Sequence, residues 1–413
     1  MTKKELSIKA NMAWNSVGSL VNLGCQWLIT ILIVRLSTSY ESAGVFSLAA
    51  SVYGIFSPIA QYRMYTYQIS DINNENSVGE YLAFRLITNL ISLSLCSIYA
   101  LITCSPDSWA AIILYGLYKA AALMIDVLHA CDQRHHRMDY LGKSLALQGS
   151  SSLLAFIAVF STTQSPELSL LAMMACVALV GVFYDKPRTR ALEMLHFGIS
   201  RKKTFYLLAT CAPVVLAGLA ASAMPSLPRQ FLSYAFGNEA LGVYASIAAP
   251  VAIIQMGASY IYNPLLGYFS ERFFTKDKKG FIRLLLLSTA AIAAIGVACS
   301  IVLSIVGEPL LVLFFGESIR PHIYLLIPLV VLAIATGYLW FVNDLLISLR
   351  DFKGTVIGSI VSLVVALLVM VPAILSWSGN GVTFACLAAS LAGIAAMGVC
   401  LLAIIKKQWG KAE

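Results

Sequence analysis

Twelve stretches of this chain are apolar over a length that matches a bilayer, about 20 residues each. They run over 11–36, 42–66, 80–104, 107–130, 144–163, 167–185, 204–224, 239–268, 281–306, 321–349, 354–376 and 380–405. Such segments satisfy their backbone polar groups in lipid only as helices, and no alternating β-barrel pattern interrupts them. The connections are short, so no extramembrane domain is predicted. Only 12% of the residues are charged, and mean hydropathy is +0.82. A soluble domain carries about 25% charge. The chain therefore reads as an all-α polytopic membrane protein of about twelve spans, and the first segment, longer than a signal-peptide core, reads as a retained span.

The basic residues give an orientation. With the N-terminus placed in the cytoplasm, 24 of the 28 Lys and Arg fall at cytoplasmic ends, including Arg63, Arg85 and the run Lys186 to Lys203. Arg35, Arg229 and Arg320 fall at outer ends, and Lys119 lies inside a span. This asymmetry predicts that both termini are cytoplasmic. It also accounts for the formal charge of +8 through contact with anionic lipid, so no nucleic-acid partner is required.

An internal echo divides the chain. Glu41-Ser-Ala-Gly-Val-Phe returns as Glu239-Ala-Leu-Gly-Val-Tyr, Arg85-Leu-Ile as Arg283-Leu-Leu, and Asp139-Tyr-Leu-Gly as Asp351-Phe-Lys-Gly. Two six-helix lobes with a parallel pseudo-two-fold and a central cavity are expected, at 1–190 and 204–413, joined by a basic cytoplasmic linker at 191–203.

The first segment carries a line of amides. Asn11, Asn15, Asn22 and Gln26 point to roughly 0°, 40°, 20° and 60° around a helix at 100° per residue. Lipid satisfies no amide, so this side either ties helices together or faces a wet passage. We take Asn15, Asn22 and Gln26 as candidate cavity residues.

A charge near the bilayer centre costs about 2.5–3.5 kcal/mol, which makes charges inside spans candidates for function or for pairing. Lys119 is the deepest. Asp126 lies seven residues on, about 10 Å along the helix axis, and His129 stands one turn beyond Asp126, within hydrogen-bonding reach. Lys119 is expected to hold an anionic group in the cavity, with Asp126 and His129 open to proton or ion traffic; mutual neutralisation of Lys119 and Asp126 is the alternative. Arg35 and Arg229 at the outer ends, and Arg63 and Arg85 at the cytoplasmic ends, are expected either to attract an anionic head group or to snorkel to lipid phosphate. Tyr62 and Tyr65 beside Arg63 read as an aromatic belt or as platforms for sugar rings.

No Walker loop, GxSxG elbow, HExxH or carboxylate pair is present, so no enzyme activity and no cofactor are predicted. Nine cysteines contain no CxxC pair, and no metal site is predicted. The loop expected after the second span of a major-facilitator transporter is missing, since residues 68–79 read QISDINNENSVG.

The spacing Asn15…Gly18…Gln26…Arg35 followed by Ala43-Gly44-Val45-Phe46-Ser47 resembles the opening of the polysaccharide transport family. That family contains O-antigen and capsule flippases of the multidrug/oligosaccharidyl-lipid/polysaccharide exporter superfamily. The echo Gly242-Val-Tyr-Ala245 and the stretch Leu310-Leu-Val-Leu-Phe-Phe-Gly316 match as well. The resemblance implies a flippase in the bacterial cytoplasmic membrane. It would move polyprenyl-pyrophosphate-linked oligosaccharide to the outer leaflet by alternating access, beside glycosyltransferases and a polymerase of the same pathway. The alternative is an ion-coupled drug antiporter of the same superfamily. Those exporters usually carry an acidic residue in the first span, and none occurs between Asn11 and Val34.

Overall fold

The structure is a computed structural model that describes residues 7–71 and 75–409. Among them every regular element is helical. Eleven helical stretches are long and apolar enough to cross a membrane. One of them, Arg201–Phe274, contains two of the twelve predicted segments. Gly237 interrupts it with φ 84° and ψ 166°, a left-side conformation open to a residue without Cβ.

In order, the helices are α1 (Ile8–Leu36), α2 (Glu41–Gln61), α3 (Met64–Ser70), α4 (Val78–Thr103), α5 (Pro106–Arg134), α6 (Met138–Thr163) and α7 (Pro166–Val180). After a π-helical turn come α8 (Lys186–Arg190), α9 (Arg201–Tyr262), α10 (Leu266–Phe274), α11 (Lys278–Phe315), α12 (Leu326–Ser348), α13 (Phe352–Trp377) and α14 (Gly379–Trp409). The second predicted span is therefore two helices. Tyr62 and Arg63 both take φ above zero (45° and 56°) between α2 and α3, one turn after Pro58, which has no N–H for the helical ladder.

Packing divides the chain into two units, 1–222 and 223–413. A linker at 191–203 and a second lobe from 204 were expected, but the start of α9 stays with the first unit. Its Leu207, Cys211 and Val215 join a core with Tyr62, Met64, Tyr81, Phe84 and Val127. The Tyr62 hydroxyl donates to the Leu208 carbonyl at 2.9 Å. Lys203 Nζ lies 2.8 Å from Glu80. In the second unit an aromatic cluster of Tyr262, Phe269, Phe273, Phe281, Phe341 and Trp409 ties α9, α10, α11, α12 and α14 together.

Within the first unit, α1 lies close against α6. A Cβ added to Gly18 would stand 2.1 Å from the Gly142 carbonyl oxygen, and one on Gly142 would stand 2.1 Å from that of Trp14. Small residues at helix contacts are how spans approach when lipid gives them no hydrophobic drive. The outward faces carry fully apolar side chains: Leu90, Ile102 and Leu154 in the first unit, Leu286, Leu368 and Val399 in the second. Continuous exposed apolar surface of this kind requires acyl chains around it. The protein is a multi-pass membrane protein.

Candidate functional site

Lys119 lies midway along α5, half-buried. Its ammonium sits 5.4 Å from the centre of the Tyr115 ring and 5.0 Å from that of Tyr118. Such faces stabilise a cation without neutralising it. Among the described residues no carboxylate lies within 4.0 Å of it. The expected neutralising partner, Asp126, is committed elsewhere: its Oδ2 lies 3.3 Å from Arg85 Nη2 on α4.

Arg85 corrects a sequence expectation. A residue that attracts head groups must reach water, and the Arg85 side chain is 1% exposed. It donates to the carbonyls of Ala60, at 2.9 Å, and Gln61. Thr88 Oγ1 adds a bond of 3.0 Å to Ala60. The cause is the break after α2, which leaves its last carbonyls without helical partners. Such groups must be satisfied inside a membrane protein, and Arg85 with Thr88 satisfies them. Arg63, at the same break, is exposed.

His129 also differs from expectation. It does not reach Asp126; its Nε2 lies 3.4 Å from Asp185 Oδ1, at the end of the π-helical turn. Asp185 Oδ2 accepts from Ser144 at 2.8 Å, and Gln148 donates to Ser144 at 3.0 Å. Asp132, fully buried one turn after His129, is near enough for its charge to act on His129 and Asp185, though neither of its oxygens has a hydrogen-bond partner among the described residues. The sequence reading missed Asp132, Asp185, Ser144 and Gln148. The available signals were the His129-x-x-Asp132 spacing and an acid closing the sixth apolar segment.

The amide side of α1 is partly a helix contact. Asn11 Oδ1 accepts from the backbone N–H of Met138, the first residue of α6, at 2.9 Å. Asn22 lies against Gly149 of α6, whose added Cβ would stand 2.7 Å from the Asn22 Cα. Asn15 and Gln26 are half-buried. The buried line Asn11, Gly18, Cys25, Ile29 and Ile33 marks the packed face, and Asn15 and Gln26 lie on its flank. Arg35 is exposed at the end of α1. Arg229 belongs to the second unit and is half-buried beside Tyr244 and Cys386. The tyrosines at the α2–α3 break bond to protein: Tyr65 donates to Gln133 at 2.6 Å, as Tyr62 does to Leu208.

At the end of the first unit that holds the α3–α4 and α5–α6 connections lies a cavity of about 1000 Å³. Asn11, Asp71, Asn76, Arg134, His135 and Glu193 are among its lining residues.

No protein-family model matches the chain. It is 25% identical over 319 residues to the capsular polysaccharide biosynthesis protein CapF of Staphylococcus aureus, covering 75% of this chain and 77% of CapF. The fold is similar to the lipid II flippase MurJ in an inward closed conformation, with a TM-score of 0.75 and 10% identity over 95% of this chain and 89% of MurJ. It is also similar to a variant of the Vibrio cholerae MATE transporter VcmN, at 0.60 and 12% over 98% and 96%. A multidrug resistance MATE family transporter in its inward-facing conformation gives 0.59 and 14% over 98% and 97%. The chain thus has the all-helical fold shared by MATE transporters and MurJ.

Proposed function

We propose that this protein is a flippase for polyprenyl-pyrophosphate-linked oligosaccharide, working in the bacterial cytoplasmic membrane by alternating access. The observation that carries the reading is Lys119: a half-buried cation in mid-span, cradled by Tyr115 and Tyr118 and, among the described residues, without an acidic partner, Asp126 being paired with Arg85. A bare ammonium in a span is costly unless an anion visits it, and a diphosphate is such an anion. The tyrosine rings beside it offer apolar faces of the kind on which sugar rings pack. The fold shared with the lipid II flippase and the similarity to CapF support a lipid-linked glycan as cargo. Glycosyltransferases and a polymerase of the same pathway would act before and after it.

The drug-antiporter alternative draws on the MATE-like fold. Against it stands α1, which carries no Asp or Glu between Ile8 and Leu36.

The test is export of surface polymer in a deletion strain complemented with Lys119→Ala or Lys119→Arg. One charge-assisted bond is worth about 1.5–3 kcal/mol, so Lys119→Ala should lower export about ten-fold or more at unchanged membrane abundance. Lys119→Arg should retain most of it. Undiminished export by Lys119→Ala, or no build-up of lipid-linked sugar on the cytoplasmic leaflet in the deletion strain, would overturn the reading.

A further inference from the structure

Cys131 and His135 stand four residues apart at the end of α5, which puts both side chains one turn apart on one helix face. Glu193 arrives from the segment after α8, 58 residues beyond His135 in sequence. The Cys131 sulfur, an imidazole nitrogen of His135 and a carboxylate oxygen of Glu193 all lie within 4.8 Å of one another. His135 Nε2 and Glu193 Oε1 are 2.9 Å apart.

This donor set has a chemistry of its own. Around tetrahedral zinc, bonds of about 2.3 Å to sulfur and 2.0–2.2 Å to nitrogen or oxygen hold the donor atoms roughly 3.3–3.6 Å from one another. His135 Nε2 and Glu193 Oε1 stand closer than that, at 2.9 Å, and would part to admit an ion. One thiolate, one imidazole and one carboxylate suit a borderline cation such as zinc, whereas calcium and magnesium take oxygen donors. The protein supplies three ligands, two of which, His135 and Glu193, line the cavity. A hydrogen-bonded ion pair, with Arg134 Nη2 at 4.0 Å from the same Glu193 oxygen, explains two of the three groups. The third group, the Cys131 thiol, hydrogen-bonds the same carboxylate, and zinc would take the place of that shared proton.

We propose that Cys131, His135 and Glu193 bind one zinc ion, with water as the fourth ligand. Binding releases the thiol proton to solvent and transfers no electron. The ion clips the end of α5 to the irregular segment that leads into α9. Both belong to the first unit, so the site stands whatever the cargo.

The test uses full-length, tag-free protein in detergent, stripped with a chelator and titrated with Co²⁺. One cobalt per chain is expected, with the intense visible bands of four-coordinate cobalt and a thiolate-to-cobalt charge-transfer band. Cys131→Ser should remove the charge-transfer band. His135→Ala and Glu193→Gln, at half-exposed positions, should weaken binding about ten-fold or more while helix content by circular dichroism is unchanged. Because a buried Cys131→Ser variant can fail to fold, competition on the wild-type protein gives a second reading: Zn²⁺ should displace the cobalt and abolish its charge-transfer band. Equal cobalt affinity in the wild type and a His135→Ala/Glu193→Gln double variant would overturn the proposal. So would a bound cobalt showing only the weak six-coordinate spectrum.

Discussion

Arg85 and Asp126 meet at 3.3 Å between α4 and α5, the guanidinium 1% exposed and the carboxylate 32% exposed. The two ends of this pair are unequal. Arg85 also holds the carbonyls at the α2–α3 break, whereas Asp126 is the less enclosed of the two. The pair thus locks α2, α4 and α5 around the break and leaves Lys119 unneutralised.

Arg85→Ala should cost about 3–5 kcal/mol, because it strands the Asp126 carboxylate and the Gln61 carbonyl and leaves Thr88 as the remaining side-chain donor to Ala60. Asp126→Asn should cost distinctly less, since its side chain is less enclosed than the guanidinium and an amide oxygen still accepts from Arg85. Thermal melting of purified protein measures both. Equal losses would contradict the asymmetry.

The contact of α1 and α6 predicts a difference between two glycines. Gly142→Ala places a methyl group on the Trp14 carbonyl and should destabilise the protein by about 1–3 kcal/mol through overpacking. Gly24, on the same α1, has nothing within 4 Å of an added Cβ. Gly24→Ala should be neutral or raise stability by about 0.5–1 kcal/mol, from helix propensity alone. The melting temperatures of the two variants check this.

Asn11 acts as a cap supplied by another helix, accepting from the first N–H of α6. Asn11→Ala should cost about 0.5–2 kcal/mol, the usual penalty for a lost cap. Asn11→Asp keeps the acceptor and favours the positive helix end, so it should retain most of the stability. Hydrogen exchange at the start of α6 reads the loss locally: protection should fall there in Asn11→Ala and survive in Asn11→Asp.

Asp71 gives a pH dependence. Burial works to raise its pKa. The backbone N–H of Glu75 at 2.9 Å, the Tyr81 hydroxyl at 2.8 Å and the backbone N–H of Asn76 at 3.1 Å, with the charge of Arg134, outweigh burial and hold the carboxyl below its ordinary value. A depressed acid stabilises the fold above its unfolded pKa and loses that contribution as pH falls through the folded one. Asp71→Asn should therefore cost about 1–3 kcal/mol near neutrality, and the gap to wild type should close below about pH 4. A gap that persists in acid would show that the hydrogen bonds do not depend on the charge.

What was legible in the sequence follows from local, additive chemistry. Apolar length gave twelve segments, and helices cover all of them. The amides of α1 were visible at helical spacing, but their neighbour was not, and the contact with α6 turns on Gly18 and Gly142, 124 positions apart. Arg85 and Arg63 looked alike as basic residues at span ends. Only the break at Tyr62 separates them, leaving Arg63 exposed and drawing Arg85 inward. The Cys131–His135 spacing was equally readable, yet without Glu193 it carried no message.

The sequence by itself determined that this is a multi-pass helical membrane protein with a cation in mid-span, because transfer into lipid depends on each segment's own side chains. The tertiary structure decided which polar groups meet: Arg85 with Asp126, His129 with Asp185, Asn11 with the start of α6. Buried polar groups need partners at hydrogen-bond distance, and those partners come from helices far apart in the chain, so only their packing selects them.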